Sequence, residues 1–119
     1  SQIVGGVVQG LGSAMSEKFI FNEHGQFRNA TFTDYKIPTA RDIPREMKSF
    51  LVETPDAQGP YGARGIAEHP MVSIPSVIGN AIADATGVEM FEFPFLPETV
   101  YLALKRAGVT PKPTAGVTA

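Results

Sequence analysis

Gly59-Pro60-Tyr61-Gly62-Ala63-Arg64-Gly65-Ile66-Ala67-Glu68-His69-Pro70 is the stretch around which the rest of this chain is organised. Three glycines and a proline lead to one carboxylate, Glu68, and a second proline closes the run. Glycine lets a backbone approach another body closely or adopt positive φ. An acid at the end of such a loop is therefore a candidate for chemistry. The plain alternative is a surface turn whose glutamate is merely solvated, and composition alone favours that alternative.

Reading outward from the loop, residues from about 73 to 86 carry Ile74, Val77, Ile78, Ala81, Ile82 and Ala85 at helical spacing. Ser73 is placed to cap this helix, Pro75 is tolerated in its first turn, and Gly87 is placed to end it. Val88 to Phe93 reads as a short strand. Pro97 opens another helix through Val100, Leu102, Ala103 and Leu104, with Lys105 and Arg106 near its negative end and Gly108 closing it. The residues from 109 to 119, rich in Pro, Thr, Ala and Gly, are expected to form a disordered tail. On the other side of the loop, Glu46 to Glu53 reads as a strand stopped by Thr54-Pro55-Asp56, and residues 30 to 45 as an extended connection. Phe19-Ile20-Phe21 and Gln26-Phe27-Arg28-Asn29 read as a hairpin with His24 in its turn. Ile3, Val4, Val7, Val8, Leu11, Ala14 and Met15 mark a helix over residues 2 to 16, although Gly5, Gly6, Gly10 and Gly12 each cost it up to about 1 kcal/mol relative to alanine. Gln9 and small residues occupy its other face, a pattern that suits tight packing. The expected fold is α+β, with three helices on a small, mainly antiparallel sheet, residues 1 to 108 forming one segment.

The totals narrow the function. The 119 residues suffice for one small domain. Lys plus Arg is 10 and Asp plus Glu is 12, a net charge of −2 without runs of like charge, which argues against nucleic acid or an anionic membrane surface as partner. At 43 % hydrophobic residues the chain can bury a core. It has no cysteine, so it supplies neither disulfides nor thiolate ligands, consistent with a cytoplasmic location. No stretch reaches the roughly 18 apolar residues of a membrane-spanning helix. Ser1 opens directly on an apolar-periodic segment, so the chain is expected to be a piece of a larger fold. Neither a phosphate loop, a G-x-S-x-G elbow nor an H-E-x-x-H helix is present.

Four motifs in order carry a resemblance. Gln2-Ile3-Val4-Gly5-Gly6-Val7-Val8-Gln9-Gly10-Leu11-Gly12 resembles the start of the last segment of the molybdopterin-binding large subunit of molybdenum hydroxylases, the xanthine dehydrogenase, aldehyde oxidase and aerobic carbon monoxide dehydrogenase family. Tyr35-Lys36-Ile37-Pro38-Thr39 resembles its Y-K-I/L-P-T segment, and Gly59 to Glu68 resembles its G-P-[FY]-G-A-[KR]-G-[VI]-G-E motif. Asp84-Ala85-Thr86-Gly87-Val88, with Phe93-Pro94 and Pro97-Glu98, continues the match to about Gly108.

The resemblance implies that Glu68 is the catalytic base beside the molybdenum. It would take a proton from the water-derived oxygen that then attacks an electrophilic carbon of a small substrate. It also implies that Gln9, with Gly10, lies on the pyranopterin side of the molybdenum cofactor, and that the backbone of Gly65, Ile66 and Ala67 approaches that cofactor. No residue of the chain is assigned as a metal ligand. FAD and 2Fe-2S clusters would sit on other domains or subunits, and the remainder of the molybdopterin-binding subunit would complete the site, so the chain alone is expected to be inactive. Self-association stays open. Two departures stand out: Ala67 replaces the family's usual glycine before the base, and His69 follows it where proline or a small residue is common. The rival reading is a non-catalytic fragment or association module.

Overall fold

The computed structural model describes residues 1–109, so the expected tail lies, apart from Val109, outside the described residues. Its helices are α1 (Gln2–Met15), α2 (His69–Val72), α3 (Ile74–Thr86) and α4 (Pro97–Arg106), with a single 3-10 turn at Pro60–Gly62.

Helix α1 departs from the simplest expectation for its sequence. Its deepest side is the glycine side: Gly6, Gly10, Gly12 and Ala14 are buried, whereas the valines are half-buried. A Cβ on Gly6 would stand 2.7 Å from the Ala67 carbonyl oxygen, and one on Gly10 would stand 2.7 Å from Ile74. Missing side chains at these positions let the backbone of α1 close on the loop before α2 and on the start of α3, which offsets glycine's poor helix propensity.

The expected helix at 73–86 is present, preceded by the short α2. The break between them has a covalent cause. Pro75 has no N–H, and its ring clashes with the carbonyl four residues back, at Met71, so one continuous helix cannot form. Ser73 sits at the junction without capping through its hydroxyl, while its carbonyl accepts the Val77 N–H at 3.0 Å. Gly87 ends α3 in the left-handed conformation at φ 73°, its N–H donating to the Ala83 carbonyl at 2.7 Å. Helix α4 starts at Pro97, carries Glu98 in its first turn and Lys105 and Arg106 in its last, and stops at Gly108 with φ 71°.

The expected sheet does not form. Among the described residues there is no strand, and the α+β assignment is corrected to a helical chain with long irregular connections. The hairpin is reduced to one antiparallel bridge between Phe21 and Phe27 around a turn in which Gly25 takes φ 74°. In place of further ladder bonds, Asn29 is buried and uses its side chain, accepting the Ile20 N–H at 2.9 Å and donating to the Lys18 carbonyl at 2.7 Å. Residues 46 to 53 are extended, with Phe50 83 % and Val52 85 % exposed, and no backbone hydrogen bond of theirs closes within the described residues. The apolar run Phe50-Leu51-Val52 predicts strand conformation, but a strand is defined by a partner, and none lies alongside it among the described residues. Val88 to Phe93 instead leads irregularly to Phe95. That side chain is buried against Gly79, and its N–H donates to the Ala14 carbonyl at 2.6 Å, tying α1, α3 and the approach to α4 together.

Candidate functional site

The loop from Thr54 to Pro70 is built as a compact knob and a short run out of it. Inside the knob the Asp56 N–H donates to the Gly62 carbonyl at 3.1 Å and the Asp56 carbonyl accepts the Gly59 N–H at 3.2 Å. The Gln58 N–H is held by Asp56 Oδ1 at 2.9 Å. Tyr61 adopts φ 55° and Gly62 φ 76°, two successive left-handed residues that turn the chain back. Such a conformation is costly for a tyrosine, and its ring is fully exposed. At the neck, Arg64 Nη1 donates to Thr54 Oγ1 at 3.0 Å and to the Thr54 carbonyl at 3.4 Å.

The run Gly65-Ile66-Ala67 leads from the neck to Glu68. Among the described residues these three backbone N–H groups have no acceptor. Being exposed, these three donors are met by solvent in this chain and are free to take a polar group supplied from outside it. Glu68 occupies the position before α2, and its carbonyl accepts the Met71 N–H at 3.0 Å. Its carboxylate is exposed and makes no hydrogen bond or ion pair among the described residues. It is an acceptor without a donor, held on a backbone fixed by α2 and by the Gly6 contact at Ala67.

Helix α1 and this loop are therefore neighbours. Of the residues predicted on α1, Gln9 is exposed with a side chain free of hydrogen bonds among the described residues, and Gly10 is buried against Ile74 and the Met71 carbonyl. The structure brings α1 and the loop together through Gly6, which the sequence reading had placed only on a small-residue face. The available signal was the spacing of Gly6, Gly10 and Ala14 at four-residue intervals. His69 lies beside the loop, with its ring 3.5 Å from where a Cβ on Gly65 would stand. It lines, with Thr54, Tyr61, Arg64 and Gly65, an open cavity of about 760 Å³. His24 stays in the hairpin turn, exposed, 3.5 Å from Glu23. The pairing of Arg64 with Thr54 had no sequence signal, because the two lie ten positions apart without a regular period between them.

The donor set fits the group that the sequence resemblance implies: unpaired amides and the free Gln9 amide for a polar pterin, and an unpartnered carboxylate for proton transfer. Comparison with known proteins points the same way. The family model for the molybdopterin cofactor-binding domain matches residues 1–44. A putative xanthine dehydrogenase molybdenum-binding subunit from Escherichia coli is 35 % identical over 109 residues, covering 91 % of this chain and 14 % of that one. An aldehyde oxidoreductase from Megalodesulfovibrio gigas is 39 % identical over 104 residues, covering 87 % of this chain and 11 % of its own. The crystal structure of quinoline 2-oxidoreductase from Pseudomonas putida 86 superposes with a TM-score of 0.78 at 31 % identity, over 87 % of this chain and 14 % of that chain. The chain thus spans about a seventh or less of the relatives it matches.

Proposed function

This chain belongs to the family of molybdopterin-binding subunits of the xanthine dehydrogenase and aldehyde oxidoreductase type, and from that premise we propose that it carries the catalytic base of a molybdenum hydroxylase, Glu68. The observation that supports this most is the placement of Glu68. It is an exposed, unpaired carboxylate at the end of a run of unpaired amides, on a backbone anchored to α1 and α2.

When bound, the molybdenum cofactor supplies the redox chemistry and makes a water-derived oxygen far more acidic than bulk water. The work of this chain is to receive the proton. A general base needs a carboxylate oxygen within hydrogen-bond reach of the oxygen it deprotonates and a fixed approach to it. The N–H groups of Gly65, Ile66 and Ala67 would donate to the cofactor's polar edge, and Gln9 would hydrogen-bond its pyranopterin side. Gly10 keeps α1 close to the start of α3, and Gln9 next to it is exposed. Ala67 adds a methyl group where the family commonly has glycine, and its carbonyl rather than its side chain meets Gly6. Having no cysteine, the chain supplies no ligand to an iron–sulfur cluster. The 2Fe-2S clusters and FAD are assigned to other domains or subunits, and the rest of the molybdopterin-binding subunit to the opposite wall of the site. The substrate is a small molecule with an electrophilic carbon.

The test is Glu68→Gln in the assembled enzyme. The amide keeps the shape and removes the basicity, so kcat should fall by about two to four orders of magnitude with the molybdenum content unchanged. Turnover near the wild-type level with metal bound would remove Glu68 from the role. Gln9→Ala should instead lower cofactor occupancy more than turnover per bound molybdenum.

A further inference from the structure

We propose that Arg64 is a positioning residue for Glu68, acting through Thr54 by cinching the neck of the knob from which the base-bearing run emerges. The proposal rests on Glu68 being the base. Its argument is one of anchors. The run Gly65-Ile66-Ala67 makes no backbone hydrogen bond among the described residues, so where Glu68 stands is set by its two ends. The far end is fixed by the contact of the Ala67 carbonyl and Pro70 with α1 at Gly6. The near end is tied at Arg64, whose side-chain bonds among the described residues both go to Thr54, at 3.0 Å to the hydroxyl and 3.4 Å to the carbonyl, so that the run leaves the knob at a closed neck.

Between Thr54 and Arg64 the chain is already closed on itself by the Asp56–Gly62, Gly59–Asp56 and Ala63–Pro60 backbone bonds. The knob therefore moves as a unit, and the Arg64–Thr54 bonds decide where that unit sits on the extended segment before it. A single guanidinium nitrogen, Nη1, reaches both the hydroxyl and the carbonyl of Thr54. Losing it leaves the knob to swing about Gly65, the one residue in the run without a side chain to hinder rotation. The clasp lies along the wall of the cavity lined by Thr54, Tyr61, Arg64, Gly65 and His69, so a swing also reshapes that cavity.

Displacing a catalytic group by about 1 Å can cost on the order of a hundredfold in rate. In the assembled enzyme, Thr54→Val removes the acceptor hydroxyl and leaves Arg64 in place. It should lower kcat per bound molybdenum by about tenfold or more with KM within about twofold, and Thr54→Ser should restore it. Arg64→Ala should do the same, and the double variant should be no slower than Arg64→Ala alone. Hydrogen exchange of the peptide spanning residues 56–67 should quicken in Thr54→Val and Arg64→Ala and return in Thr54→Ser. Wild-type kcat and exchange in Thr54→Val would overturn the proposal, as would additive losses in the double variant, because either would mean that Arg64 acts directly and not through Thr54. The exchange arm does not depend on Glu68. If Glu68→Gln retains turnover while exchange still responds to Thr54, the reading of Glu68 fails and the clasp stands.

Discussion

Tyr35 shows how a single residue of this chain is held and how that can be measured. Its phenol stacks on Phe19 with ring centroids 5.2 Å apart, and its hydroxyl donates to Glu17 Oε2 at 2.8 Å. Accepting that hydrogen bond, Glu17 holds the phenol pKa above its ordinary value of 10.0, and burial and the carboxylate's charge push the same way. A group whose folded pKa is raised stabilises the fold fully below its unfolded value, and this is lost as pH rises through the folded one. The pair's contribution should therefore be intact at neutral pH and disappear only in the alkaline range above 10. Phenolate absorbance followed against pH should show a late step that Glu17→Gln moves down toward the ordinary value. A step unmoved by that substitution would mean that the pair is not made. The Y-K-I-P-T motif was legible as a motif, but its physical role was not, since the partner of Tyr35 lies eighteen residues away. The loop that carries Glu68 stood out for the opposite reason: it is a local pattern, a glycine run followed by a proline, and local patterns are what a sequence displays.

At the scale of elements, the two adjacent glycines of α1 make opposite predictions. Gly5 is exposed, and a Cβ there would meet nothing within 4 Å. Gly5→Ala should then stabilise the helix by about 0.5–1 kcal/mol through propensity alone. Gly6→Ala places a methyl group 2.7 Å from the Ala67 carbonyl oxygen and 3.2 Å from Pro70. Overpacking of this kind costs about 1–3 kcal/mol, and here it also pushes on the base-bearing loop. In the chain by itself, helix content followed by far-ultraviolet circular dichroism should rise for Gly5→Ala and fall for Gly6→Ala. Equal effects would mean that the close approach of α1 to the loop is not maintained. Helices α1, α3 and α4 were readable because each carries its own apolar period, and α3 and α4 also their stop signals, Gly87 and Gly108. The strand at 46–53 was misread because Phe50, Leu51 and Val52 suit a strand yet have no neighbour to pair with among the described residues. Helix α2 escaped notice since four residues are too few to show a period.

The whole molecule explains why those extended segments look unfinished. A compact chain of 12.7 kDa exposes about 6,200 Å² and has a radius of gyration of about 13.5 Å. This one exposes 9993 Å² with a radius of gyration of 18.2 Å. Its buried apolar side chains, among the described residues, are Ala14 and Phe95. The excess of roughly 3,800 Å² is several times the ~800 Å² that one partner contributes to a standard interface. It is rich in large apolar groups, Phe32, Phe50, Leu51, Val52, Val72 and Phe91 among them. An apolar groove of about 390 Å³ between Met15, Ile78, Ile82, Phe95, Val100 and Leu104 also lies open. A fold with so few buried side chains has little to set against its conformational entropy. Expressed by itself, the chain should bind a hydrophobic reporter dye strongly and melt without a sharp transition. Co-expressed with the rest of a molybdopterin-binding subunit, it should lose the dye signal and melt with the assembly. A sharp, dye-free melt of the chain alone would show that this surface does not need covering, and would restore the reading of an independent module.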